Sequence, residues 1–153
     1  MQLSAAGLDL IRRSEGFRGQ VYIDVAGFRT IGYGHRVTSN ETFSEGIDEA
    51  HAEVLLAGDV RRAEQMVGRL VQVKLTQGQF DALVDFCFNL GAGRLAASTL
   101  LRELNAGQYD AAGEQLLYWV YAGGEVNAGL RARRAAEFEL WTRGEGKAGA
   151  AAA

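Results

Sequence analysis

Leu56, Val60, Ala63, Val67 and Leu70 follow one another at intervals of 4, 3, 4 and 3. Those intervals trace one face of a long α-helix, whereas a half-buried strand would turn every second residue inward. Asp48 stands ahead of the stripe as its expected cap, and helical signals continue nearly to the C-terminus. Thr76 and Gln79 form a capping box before a stripe of Phe80, Leu83, Val84 and Cys87, and Asn89-Leu90-Gly91 closes that helix. Ser98 or Thr99 opens another through Leu100, Leu101 and Leu104, ended by Asn105-Ala106-Gly107. Asp110 is expected to cap the next, through Leu116, Leu117 and Val120 to Gly123-Gly124. A last helix should run from about Leu130 to Thr142.

The first third of the chain differs. Ser4 to Ser14 reads as a short helix, with Ser4 as cap, Leu8 and Ile11 on one face and Gly16 as the stop signal. Val21-Tyr22-Ile23 and Phe28-Arg29-Thr30-Ile31 are rich in β-branched and aromatic residues, with Ala26-Gly27 between them. That pattern predicts a β-hairpin, its exit loosened by Gly32 and Gly34. The expected class is therefore α+β: mostly helical, with one small N-terminal hairpin. No repeat or linker divides the 153 residues, so one domain is expected over residues 1–145. From Gly144 onward the sequence is low in complexity, and 146–153 is read as a disordered tail.

Composition removes several function classes. One cysteine, Cys87, excludes an intrachain disulfide framework, and with only His35 and His51 there is little material for a metal centre. No metal or cofactor is expected. Cys87 lies between Phe86 and Phe88 on an apolar stripe and reads as core, while His51 reads as solvated surface. The formal net charge of −3 argues against nucleic-acid binding through a broad basic surface. No apolar run approaches the roughly 18 residues of a membrane span, and residues 1–7 lack the basic and apolar regions of a signal peptide. A soluble product made in a reducing cytoplasm is expected.

Two carboxylates occupy unusual places. Glu15 ends the first helix, facing the negative end of its macrodipole. Asp24 ends the first hairpin strand. A helix end followed by a hairpin can point two carboxylates into one cleft, the minimum equipment for glycoside hydrolysis: one acid protonates the leaving oxygen, and the other activates water or attacks. Thr30, on the returning strand, could help hold that water. Either acid alone would be ordinary solvated surface.

The surrounding motifs are more specific. Glu15-Gly16-Phe17, Tyr22-Ile23-Asp24, Gly27 and Thr30-Ile31-Gly32-Tyr33-Gly34-His35 resemble the N-terminal signature of phage-type lysozymes, the endolysins of glycoside hydrolase family 24. The Glu-to-Asp interval of nine and the Glu-to-Thr interval of fifteen match that family. Phe88-Asn89-Leu90-Gly91-Ala92-Gly93, Ser98-Thr99-Leu100-Leu101, Trp119 to Gly124, Gly129-Leu130 and Arg133-Arg134 resemble its later motifs. The resemblance extends from about Leu3 to Arg143. It implies a lysozyme-like fold, with a cleft lobe over about 15–60, a connecting helix, and a helical lobe over about 70–145.

It further implies hydrolysis of the β-1,4 bond between N-acetylmuramic acid and N-acetylglucosamine in peptidoglycan, by inversion. Glu15 would be the general acid, Asp24 the general base that positions water, and Thr30 its partner on that water. Arg131 falls where the family places an arginine that pairs with the acid. Phe88 and Thr99 fall near positions that line the family's cleft, and His35 closes the hairpin signature; all three are expected to bind substrate, with structural hydrogen bonding for His35 and core packing for Phe88 as alternatives. Arg131, Arg133, Arg134 and Arg143 would meet the anionic wall or form a solvated basic face. The partner is peptidoglycan and the protein a monomer. It would accumulate in the host cytoplasm and reach the wall after release by a holin, since no signal-arrest-release segment is seen. The acidic net charge departs from the many basic endolysins and weakens electrostatic steering. Two rivals are a lytic transglycosylase using Glu15 alone and a silent peptidoglycan-binding scaffold. Asp24 and Thr30 speak against the first, because that reaction has no water to activate.

Overall fold

The computed structural model of the protein describes residues 1–143; the segment expected to be a tail lies outside the described residues. Helix α1 (Ala5–Glu15) begins where Ser4 accepts the Gly7 N–H, and it ends at Gly16. Gly16 has φ +69°, a left-handed conformation that costs little only for glycine. Gly7, Leu10 and Ile11 are the buried residues of α1, so its inward face is centred on Leu10 and Ile11, with Leu8 only half-buried. The helix is anchored at its start by Asp81, whose carboxylate accepts from both the backbone N–H and the hydroxyl of Ser4.

Strand β1 (Arg18–Ile23) pairs antiparallel with β2 (Arg29–Gly32) as expected, with an irregularity between Arg18 and Tyr22. A third strand, β3 (His35–Arg36), was not anticipated. It adds to the other side of β2, giving the order β1-β2-β3. Two residues are too few for alternation to register in a sequence. Ile31 and His35 are opposite one another and buried, and β2 packs on α2. Residues paired across antiparallel strands share a face. The row Tyr22, Thr30, Arg36 therefore lies on the other face of the sheet.

Helix α2 (Glu49–Leu70) is capped by Asp48, which accepts the His51 N–H, and buries Ala52, Leu56, Val60, Ala63 and Val67. Only Leu70 of the expected stripe stays half-buried. Ile11, Leu56 and Val60 make a small apolar cluster under the sheet, joined by Leu3, Leu8, Tyr33 and Phe88. Helix α3 (Gln77–Leu90) has both halves of the Thr76–Gln79 capping box and is buried from Gln79 to Cys87. It forms the centre of the larger core, packed by α1, α2 and α7. Burial pushes the Cys87 thiol up to about 11, in keeping with a core residue and not a nucleophile.

The short helix α4 (Ala92–Ala96) is followed by α5 (Thr99–Asn105), which Ser98 caps by accepting the Leu101 N–H. Helix α6 (Tyr109–Leu116) corrects two expectations. Its N-cap is Gln108, with Asp110 inside the first turn, and it stops at Leu116. Gly123 and Gly124, at φ +60° and +83°, instead make the turn of a second hairpin, β4 (Tyr121–Ala122) and β5 (Glu125–Val126). Two consecutive left-handed residues suit a two-residue hairpin turn, whose twist matches that of the flanking strands. Helix α7 (Ala128–Arg143) starts two residues before the expected Leu130, where Asn127 accepts the Leu130 N–H. Among the described residues no helix is long and apolar enough to cross a membrane.

Candidate active site

Three of the sequence-derived candidates, Glu15, Asp24 and Thr30, lie in or beside the three-stranded sheet. Glu15 is the last residue of α1, with its side chain 19% exposed. Its Oε1 accepts from Nη1 of Arg133 at 2.7 Å. Its Oε2 lies against Gly34, where an added Cβ would approach it to 2.6 Å at φ +73°. Only a residue without a side chain admits the carboxylate there.

Asp24 continues β1 past its end, since its N–H donates to the Phe28 carbonyl at 2.9 Å. Its Oδ1 accepts two further backbone N–H groups, Ala26 at 2.9 Å and Phe28 at 2.8 Å. The turn therefore fixes one carboxylate oxygen. Thr30 is 3% exposed and donates its hydroxyl proton to the Phe28 carbonyl at 2.9 Å. Tyr22 lies within electrostatic reach of both acids. Its phenol is raised by burial and further by the charges of Glu15 and Asp24, opposed by Arg18.

The cation at Glu15 corrects an expectation. It is Arg133, whereas Arg131 is exposed, two residues away on α7. Two residues on a helix are separated by about 200°, so the two arginines point to opposite sides. Arg133 is 6% exposed and grips Asp85 of α3 with Nε and Nη2, each at 2.9 Å, while Nη1 reaches Glu15. Burial opposes its charge, but Asp85 and Glu15 outweigh burial and raise its pKa. Asp85, fully buried, is lowered in turn: burial opposes its ionisation, and the Arg133 guanidinium overcomes it.

A second layer lies behind this clamp. Arg134 donates to Asn89 at 2.9 Å and to Glu137 at 2.7 Å, with its guanidinium 5.2 Å from the centre of the Phe86 ring. Glu137 is fully buried close to Asp85. Where two buried carboxyl groups share a site, the charge of one raises the pKa of the other. Asp85 has the two-pronged arginine and is the one lowered, whereas burial and the charge of Asp85 raise Glu137 well above the ordinary carboxyl range.

Asp85, Arg133 and Glu137 were missed as site residues. The sequence does carry a trace of them: Asp81 and Asp85, four apart, interrupt an otherwise apolar run from Phe80 to Phe88, and Arg133 and Glu137 are also four apart. The expected basic cluster also dissolves. Arg133 and Arg134 are interior, while Arg143 is exposed and paired with Glu139.

The remaining candidates lie apart from the acids. His35 is 6% exposed on the α2 side of the sheet. Its Nδ1 meets Asp59 at 2.8 Å and its Nε2 meets Glu41 at 3.0 Å, so both ring nitrogens have partners within the protein. Phe88 packs against both apolar clusters. Thr99 opens α5, and its hydroxyl oxygen accepts from Arg102 at 3.4 Å. His51 is exposed, as expected.

His35 yields a pH prediction. Its pKa is raised by the hydrogen bond to Asp59 and then by Glu41, against desolvation. A raised folded-state pKa adds stability that is complete below the unfolded value of about 6.5 and is lost as pH climbs through the folded value. The stability deficit of His35→Asn should therefore be about 2 kcal/mol at pH 5.5 and shrink at alkaline pH. Urea unfolding across that range checks this; a gap independent of pH would show that the imidazolium form contributes nothing.

Comparison with known proteins places the chain in a family. The sequence model of the phage lysozymes matches residues 12–137. The endolysin of Bacillus phage B103 is 43% identical over 149 residues, 96% of this chain. The chain spans only 56% of that protein's length. The endolysin of Salmonella phage P22 is 39% identical over 88% of this chain and 94% of its own length. Among solved structures, the muramidase domain of SpmX from Asticaccaulis excentricus superposes with a TM-score of 0.82 at 36% identity, covering 92% of this chain and 97% of that one. With an acid-bearing first helix, a small cleft sheet, a long connecting helix and a match over most of its length, the chain belongs to the phage lysozyme family.

Proposed function

We propose that this chain is an endolysin that hydrolyses the β-1,4 bond between N-acetylmuramic acid and N-acetylglucosamine of peptidoglycan, with inversion. The observation that carries this reading is the division of each carboxylate into a held and a free oxygen. Arg133 holds Oε1 of Glu15, and the turn amides hold Oδ1 of Asp24. Oε2 of Glu15 is then the oxygen that delivers a proton to the departing glycosidic oxygen, which leaves as a hydroxyl. Oδ2 of Asp24 takes one proton of a water. The Thr30 hydroxyl, its own proton committed to Phe28, accepts a hydrogen bond from the other O–H, whose proton stays on the new anomeric hydroxyl. The water oxygen attacks the anomeric carbon from the face opposite the leaving group.

The names of the matched relatives, endolysin and muramidase domain, support the same reading. The protein would act as a phage lysis enzyme on the cell wall. Incubation with purified peptidoglycan, followed by mass analysis without reduction, tests it. Muropeptides that gain one water and end in reducing N-acetylmuramic acid are expected. Anhydro products would replace the assignment with a transglycosylase. Absence of products, with the protein sedimenting with the wall, would leave a binding module.

A further inference from the structure

The cleft face of the sheet carries a cationic feature that the hydrolytic step does not use. Arg36 of β3 is paired with Thr30, and Thr30 with Tyr22, so the three side chains emerge on one face. The Arg36 guanidinium lies 3.6 Å from the centre of the Phe28 ring, and Phe28 is 44% exposed. Arg18 repeats the arrangement over Tyr22 at 4.6 Å. Neither arginine has an ion-pair partner among the described residues, in contrast to Arg12, Arg133 and Arg134, which all do. From Gly16 to Asn40 the sequence holds three arginines and a single acid, Asp24, within a chain of net charge −3.

An arginine stacked on a ring has one face covered and its orientation restrained, while the N–H groups at its edge stay directed outward. That edge matches the two oxygens of a carboxylate. We propose that Arg36, stacked on Phe28 and assisted by Arg18, is a carboxylate-binding subsite beside Thr30, and that it takes the free carboxylates of the peptide stems attached to the glycan. The inference rests on the peptidoglycan reading above. The occupant follows from complementarity: a glycan that crosses the Tyr22–Thr30 row carries its acidic side branches past the neighbouring cations. The subsite also gives a chain that is acidic overall a local means of engaging an anionic polymer, at a range where screening by salt is incomplete.

The test compares two walls: purified peptidoglycan, and the same material with its carboxylates converted to amides by carbodiimide and ammonia. On the native wall, Arg36→Gln should raise the apparent KM roughly five-fold with kcat little changed, the upper range for an exposed charge pair. Amidation should cost the wild type a similar factor and cost Arg36→Gln almost nothing further. Arg36→Lys, which keeps the charge without the planar fork, should fall between the two. Equal losses for Arg36→Gln on both walls, or no loss on either, would overturn the subsite. Sedimentation of Glu15→Gln and Glu15→Gln/Arg36→Gln with the two walls reads the same contrast without turnover. A wild type that cleaves neither wall while the binding contrast persists would therefore remove the reaction and leave the subsite standing.

Discussion

Arg133→Met should lose about 3–5 kcal/mol of folding stability, the range found when one member of a buried ion pair is removed. The reason is the partner left behind. Asp85 is fully buried and receives two N–H groups from Arg133. Methionine fills much of the space but offers no donor, which strands a carboxylate away from water. The loss should appear as a lower urea midpoint and a Tm reduced by roughly 10 °C for a chain of this size. Arg133→Met/Asp85→Leu should regain most of it, because no uncompensated charge then remains at that position. Glu15, at 19% exposure, is reached by water and costs less when unpaired. If the double variant is as unstable as the single one, the loss comes from packing of the arginine stem.

Glu15→Gln is expected to separate catalysis from folding. Turnover of peptidoglycan should fall by a factor of about 10²–10⁴ or more, the contribution of a positioned general acid. The carboxamide oxygen can still accept from Nη1 of Arg133, so the stability change should stay near 1–2 kcal/mol. Muropeptide release measures the first quantity and urea unfolding the second. Turnover at the wild-type rate would remove Glu15 as the acid. Taken with Arg133→Met, the pair of variants distinguishes the group that gives up the proton from the group that holds it in place. Arg133 acts through Glu15 and is a positioning residue.

Much of the fold was legible because its determinants are local. The Ser4, Asp48, Thr76 and Ser98 caps each reach an N–H within their own first turn, so three or four residues define them. The α2 stripe is buried as its 3- and 4-residue intervals predict. The elements that escaped are those with too little chain to show a period. β3, β4 and β5 have two residues each, and the Gly123-Gly124 pair reads equally well as a helix stop or as a hairpin turn. Which it is depends on whether Val126 returns alongside Tyr121, a contact five residues apart.

The candidate site divides in the same way. Glu15, Asp24 and Thr30 fall within sixteen residues, and a helix stop followed by a hairpin is enough to bring them to one region. The choice between Arg131 and Arg133 is of another kind. Both lie on one helix, carry one charge and differ in position by two residues. Only the docking of α7 on α3 decides which meets Asp85 and Glu15 and which meets solvent. The same docking takes Glu137, an ordinary helix-surface residue by type, inside the protein, where burial raises its pKa. The sequence by itself therefore determined the helices, their caps, the first hairpin and the region of the acids, since neighbours along the chain specify these. The tertiary structure alone decided which charges are interior, because the ionisation and the partner of a buried group depend on what another element presents to it, not on what flanks it in the chain.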